Sequence, residues 1–128
     1  MRVKLLGVGL VGLLGLVVVS IAAAKVINGT DGDDTLPGTP RADLIRGGRG
    51  ADQLFAGFGQ DVVHGGPGPD TLYAVARDGQ LDTLDCGPGN DVAVVRAGEQ
   101  TAIVKCESVK VVPDSASPEE PGETPAND

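Results

Sequence analysis

Two kinds of apolar spacing divide the chain. From Leu5 to Ala24 the residues are uncharged and mostly Leu, Val, Gly and Ala, with Arg2 and Lys4 just ahead of them. Beyond Lys25 apolar side chains become sparse and regular. Leu36, Ile45, Leu54, Val63 and Leu72 stand nine residues apart, and each follows an aspartate by two places, at Asp34, Asp43, Asp52, Asp61 and Asp70. Alternate side chains of an extended chain point to opposite faces, so one apolar residue per unit predicts a strand of about three residues whose centre faces inward. The other six residues of each unit form a loop: GTDGDD, GTPRAD, GGRGAD, AGFGQD and GGPGPD.

A fixed period held over five units is the mark of a repeat architecture. Coiling such a chain stacks strands about 4.8 Å apart into parallel sheets, with loops above loops at the edges. The expected fold is therefore all-β, a short solenoid of three to four coils over residues 25–94. Its period breaks at AVARDGQLDTLD (74–85), which reads as one unit with a short insertion, and resumes at CGPGNDVAV (86–94) with Asp91 and Ala93 in phase. Residues 74–79 lack a loop signature, so no partner for Asp61 is expected beyond it. Val92–Arg96, Thr101–Cys106 and Val109–Val112 read as strands, with residues 95–112 capping the open end of the coil. The acidic, Pro-rich segment 113–128 has no apolar periodicity and is expected to be disordered.

Composition changes this picture in three ways. With two Phe, one Tyr and no Trp among 128 residues, the core is thin. The two cysteines, Cys86 and Cys106, form the even pair expected of a disulfide in an exported chain, and a bridge of this span stabilises by about 3 kcal/mol. Export itself is expected from residues 1–24: basic start, apolar stretch and the small residues Ala22-Ala23-Ala24 are the pattern of a signal peptide. The alternative is an uncleaved membrane anchor.

Charge narrows the partners. Without Arg2 and Lys4, eight basic side chains face eighteen acidic ones, a net charge of −10 that repels nucleic acid and anionic membrane and attracts cations. Stacked loops bring aspartates over one another, where like charges need neutralising. Calcium is a hard cation taking 6 to 8 oxygen ligands, and carboxylates plus backbone carbonyls of two loops supply such a shell; magnesium keeps its water and softer metals ask for His or Cys. A phosphate cradle is excluded by the missing Gly-Lys-Ser/Thr, and an EF-hand by the missing ligands downstream of Asp31. His64 is the single histidine, at the end of its unit, without a nucleophile in a recognisable setting. No enzymatic role is expected.

GGRGADQLF (47–55) and GGPGPDTLY (65–73) match the pattern G-G-x-G-x-D-x-U-x, with U a large apolar residue, and AGFGQDVVH (56–64) departs only at its first position. The chain resembles the haemolysin-type, or repeats-in-toxin (RTX), calcium-binding proteins over about half of its length beyond the N-terminal segment. The resemblance implies a parallel β-roll in which two units make one coil and alternate loops share an edge. Asp34, Asp52 and Asp70 would then line one edge, with Asp91 stacked on Asp70, and Asp43 and Asp61 the other. Calcium ligands would be these aspartates, with the loop backbone at Gly48, Gly50, Gly57, Gly59, Gly66 and Gly68. Thr39 and Arg41 stand where the pattern has glycine. Two roles are compatible with this reading: a secreted calcium-binding structural module, or an accessory part of a secreted hydrolase or toxin system.

Overall fold

A computed structural model describes residues 24–115. The expected signal peptide and most of the acidic tail lie outside the described residues. Ten strands follow one another: β1 (Lys25–Asn28), β2 (Thr35–Pro37), β3 (Asp43–Arg46), β4 (Gln53–Phe55), β5 (Val62–His64), β6 (Thr71–Ala74), β7 (Leu81–Asp85), β8 (Val92–Arg96), β9 (Gln100–Val104) and β10 (Ser108–Val112). Odd-numbered strands form one sheet in the order β1-β3-β5-β7-β9, and even-numbered strands form the other, β10-β8-β6-β4-β2. Every pairing is parallel. The chain is thus a β-solenoid of five coils, each with one strand in either sheet. Among the described residues no helix is long and apolar enough to cross a membrane.

Register follows from the period. Two units of nine set Leu36 against Leu54, Leu54 against Leu72, and Ile45 against Val63, eighteen residues apart in each case. Those same residues are the core. Ile45, Leu54, Val63, Leu72, Leu84 and Ala93 are fully buried, packed between the two sheets, with Ile27, Leu36 and Ile103 closing the ends. In a strand this short, burial of the eighth residue also turns the sixth inward, because side chains two apart share a face. Asp43, Asp52, Asp61, Asp70 and Asp91 are accordingly buried along with the aliphatic residues.

The irregular segment resolves differently from the sequence reading. Three residues, Ala74-Val75-Ala76, are the insertion; all are buried, and the first of them lengthens β6. Counting back from Cys86 then gives RDGQLDTLD (77–85) as an in-phase unit with Asp82 sixth and Leu84 eighth, paired with β5 as Val63 to Leu84, twenty-one residues apart. Asp61 therefore does have a partner on its edge, and the expectation that none follows it is corrected. The missing signal was the glycine loop: Arg77-Asp78-Gly79-Gln80 keeps the spacing of the unit without its composition.

Residues 95–112 continue both sheets as the fifth coil through β9 and β10. Two contacts fasten this end. Cys86 and Cys106 are joined by a disulfide with a Cα–Cα distance of 5.1 Å, tying the start of one loop to the last turn. Arg96, 2% exposed, donates from Nε to the carbonyl of Val75 at 2.6 Å and from Nη1 to the carbonyls of Pro113 and Asp114 at 3.3 Å each. A buried guanidinium so placed holds the insertion against the C-terminal turn.

Leu72 occupies the centre of this core, so Leu72→Ala should destabilise the folded protein by about 2–5 kcal/mol, measured by denaturant unfolding in calcium. Replacing Cys86 and Cys106 together by serine should cost about 3 kcal/mol in the same assay. A double variant as stable as the parent would show that the bridge is dispensable.

Candidate calcium-binding loops

Each loop runs from one sheet to the other, and loops of alternate units stack at one edge of the solenoid. Residues 29–34, 47–52, 65–70 and 86–91 lead into even strands; residues 38–43, 56–61 and 77–82 lead into odd ones. What fixes them is a chain of hydrogen bonds from backbone to carboxylate. On the first edge the Asp34 N–H donates to Asp52 Oδ1 at 2.8 Å, Asp52 to Asp70 at 2.9 Å, and Asp70 to Asp91 at 2.7 Å. The last N–H, of Asp91, donates to Glu107 Oε2 at 2.8 Å. On the second edge Asp43 donates to Asp61 Oδ1 at 2.7 Å and Asp61 to Asp82 at 2.9 Å. Asp34, Asp52, Asp70 and Asp91 thus share one edge, and Asp43 and Asp61 share the other. Asp82 and Glu107 are ladder members that sequence reasoning missed, Asp82 through the phase of the insertion and Glu107 because a longer acid ends the series.

The second carboxylate oxygen behaves differently. Oδ2 of Asp52, Asp61, Asp70 and Asp91 is buried and has no hydrogen-bond partner. All four belong to loops whose second residue is glycine: Gly48, Gly57, Gly66 and Gly87. Each of these glycines has a positive φ, as do Gly50, Gly59, Gly68 and Gly89 at the fourth position. Gly48 shows why no other residue fits. At φ +104° a side chain is strained, and its Cβ would stand 2.2 Å from the carbonyl oxygen of Thr30. The first glycine serves another purpose: a Cβ on Gly47 would lie 2.4 Å from Asp52 Oδ2. Its absence lets the carboxylate fold back over its own loop.

Burial raises the carboxyl pKa values above the ordinary 3.8. Asp61 is pushed up to about 8, mainly by desolvation, with the charges of Asp82, Asp43 and Asp78 adding to it and the Asp43 N–H opposing. Asp82 is pushed up to about 7 by desolvation and by Asp78 and Glu99. Asp70 rises to about 6 for the same leading reason, with Asp52 and Asp91 as its charged neighbours, and Asp52 and Asp91 move in the same direction. Buried carboxylates with an unsatisfied oxygen and carboxylate neighbours are poorly compensated without a cation.

These residues fit a hard cation. An oxygen donor set, negative charge and orphaned carboxylate oxygens are the chemistry calcium requires. Among the described residues no three His, Cys, Asp or Glu side chains converge on one point. A cation held by these loops would draw much of its shell from backbone carbonyls, which the glycine conformations leave free of side-chain crowding. Asp78 adds a different contact, accepting from the Gly59 N–H at 2.5 Å, so the 77–82 loop meets its neighbour through a side chain. His64 sits at the end of β5 with Nδ1 3.7 Å from Asp85.

A pH dependence follows for the protein in chelator. Acids whose folded pKa is raised hold more protons when folded than when unfolded, so their stability contribution is complete below about pH 4 and is lost as pH rises through about 6 to 8. Whatever β-structure persists in chelator should therefore be greater at about pH 5 than at about pH 8.5, and calcium should abolish or invert that order. β-Structure that increases with pH in chelator would contradict the burial of these carboxyls.

Residues 37–72 match the family model of the RTX calcium-binding nonapeptide repeat, in four copies. Comparison with the curated proteins and with the solved structures gave no match. Matched segment, parallel five-coil solenoid and stacked Asp-terminated loops agree, and residues 37–72 are repeats of the RTX calcium-binding nonapeptide type.

Proposed function

We propose that the protein is an exported, non-enzymatic calcium-binding protein whose β-roll closes around calcium ions held between stacked loops. The observation that supports this most directly is the set of four buried Oδ2 atoms, on Asp52, Asp61, Asp70 and Asp91, that find no hydrogen-bond partner among the described residues. The other ligands proposed are the loop backbone around Gly48, Gly50, Gly57, Gly59, Gly66 and Gly68; Asp34 and Asp43, which the repeat pattern also points to, have Oδ2 bonded within their own loops. Calcium bound there would supply the positive charge and oxygen coordination that these carboxylates lack. In the glycine loops the residues do the rest: Oδ1 of the aspartate fixes the neighbouring loop, Oδ2 stays available, and glycine keeps the loop thin enough to stack.

Folding is coupled to the metal in this reading. Without it the buried acids repel one another and the glycine loops lose little by disordering; with it the coils dock. Export agrees with the N-terminal pattern of residues 1–24 and with the extracellular habit of RTX repeats. Calcium is also abundant outside cells, where the weaker, millimolar class of site is filled.

Circular dichroism of the protein titrated with calcium, and separately with magnesium, tests the reading. β-Structure should form with calcium and not with equal magnesium; full structure in chelator would sink it. Asp52→Ala should raise the calcium midpoint more than Asp43→Ala, because Asp52 stands between two stacked loops on its edge and Asp43 begins its own. Equal effects would contradict the assignment of Asp52 to the central position.

A further inference from the structure

Seven loops carry the nonapeptide aspartate, and apart from the irregular 77–82 loop they adopt two conformations. In the four glycine loops the second residue has a positive φ, and its N–H turns outward where its partner is defined: Gly48 donates to the carbonyl of Gly65 at 3.2 Å and Gly66 to that of Cys86 at 3.1 Å. Residues 29–34 and 38–43 differ. Their second residue is Thr30 or Thr39, neither of which has a positive φ, and Gly32, at the fourth position, does not either.

The N–H of these threonines points inward instead, onto their own aspartate. Thr30 N donates to Asp34 Oδ2 at 2.6 Å and Thr30 Oγ1 donates to the same oxygen at 2.9 Å. Thr39 repeats the arrangement on Asp43, with N to Oδ2 at 2.6 Å and Oγ1 to Oδ2 at 2.8 Å. Each hydroxyl also accepts an N–H of the fourth residue, from Gly32 at 3.1 Å and from Arg41 at 3.2 Å. The oxygen left orphaned in the glycine loops is doubly bonded here.

We propose that Thr30 and Thr39 stand in for the cation, so that the first two loops close without metal and calcium occupancy begins with the glycine loops that follow. The inference rests on the calcium reading above. Its physical logic lies in the end of the stack. Among the described residues no coil precedes 29–34, so a cation there would be half-shelled, and a hydroxyl with an amide is a partner that each loop supplies to itself. Asp34 is only half-buried, so its remaining charge is solvated. The outcome is a metal-independent N-terminal coil on which metal-dependent coils are laid.

Thr30→Gly turns the loop into GGDGDD, the full glycine pattern, while Thr30→Ser keeps the hydroxyl. Native mass spectrometry in calcium and hydrogen exchange in calcium and in chelator read the result. The parent and Thr30→Ser should bind equal numbers of calcium ions, and Thr30→Gly at least one more. In the parent, the amides of Thr30 and Thr39 should stay protected in chelator while those of Gly48 and Gly66 lose protection; in Thr30→Gly the amide at 30 should be protected in calcium only. A Thr30→Gly variant with the parental calcium count, or parental Thr30 and Thr39 amides protected only in calcium, overturns the inference and leaves the calcium reading standing. A parent that binds no calcium at all overturns both. Should Thr30→Gly fail to fold even in calcium, the exchange of the parental threonine amides decides the matter alone.

Discussion

The bond from an aspartate N–H to the carboxylate of the aspartate one coil later sets the whole solenoid. It is reciprocated by the backbone: the carbonyl of Asp52 accepts from Thr71, that of Asp70 from Val92 and that of Asp61 from Thr83. Each coil is thereby keyed to the next at the point where loop becomes strand. Register, the stacking of the loops and the alignment of the aliphatic core are all consequences of that key. A slip by one residue would expel both the aspartate and the aliphatic residue two places on, because they share a face.

Carboxylates buried in this way need compensation, and the protein meets the need in three manners. Oδ1 of Asp52, Asp61, Asp70, Asp82 and Asp91 receives an N–H from the preceding coil. Oδ2 has no partner among the described residues in the glycine loops, where the proposed cation would bind, and is satisfied internally in the threonine loops. Where the repeat ends, Glu107 takes the ladder's last N–H, and the disulfide and Arg96 replace the stacking that no further coil provides. The thin core explains why such fasteners concentrate at the C-terminal end: one aliphatic residue per half-coil leaves little apolar area to hold a terminal turn.

Much of this was legible in the sequence because the aspartate and the aliphatic residue recur in strict phase, and phase alone dictates which side chains meet. The two edges and the stacking of Asp91 on Asp70 follow from that phase once the two-units-per-coil roll implied by the family resemblance is adopted, and the Cys86–Cys106 bridge follows from an even cysteine pair in a chain expected to be exported. What counting from the N-terminus hid was Asp82, since Ala74-Val75-Ala76 shifts the frame by three and the next loop lacks glycine. Counting back from Cys86 recovers it. The burial of Arg96 had no local signal at all: a strand-end arginine ordinarily faces water, and only the carbonyls of Val75, Pro113 and Asp114, brought together by the fold, make a place for it. The two kinds of loop were likewise hidden, because threonine in place of glycine reads as a weakened repeat until the hydroxyl is seen on Oδ2.

The carboxylate ladder also has a direction. On the first edge Asp52, Asp70 and Asp91 each give Oδ1 to the coil before and find the acceptor for their own N–H in the coil after. A chain that leaves a ribosome or a membrane pore N-terminus first therefore emerges with each turn incomplete, waiting for eighteen or twenty-one residues more before its amide is matched. The polarity of the ladder makes the protein a sequence of locks, each closed by its successor, and Glu107 the residue whose arrival ends the waiting on that edge.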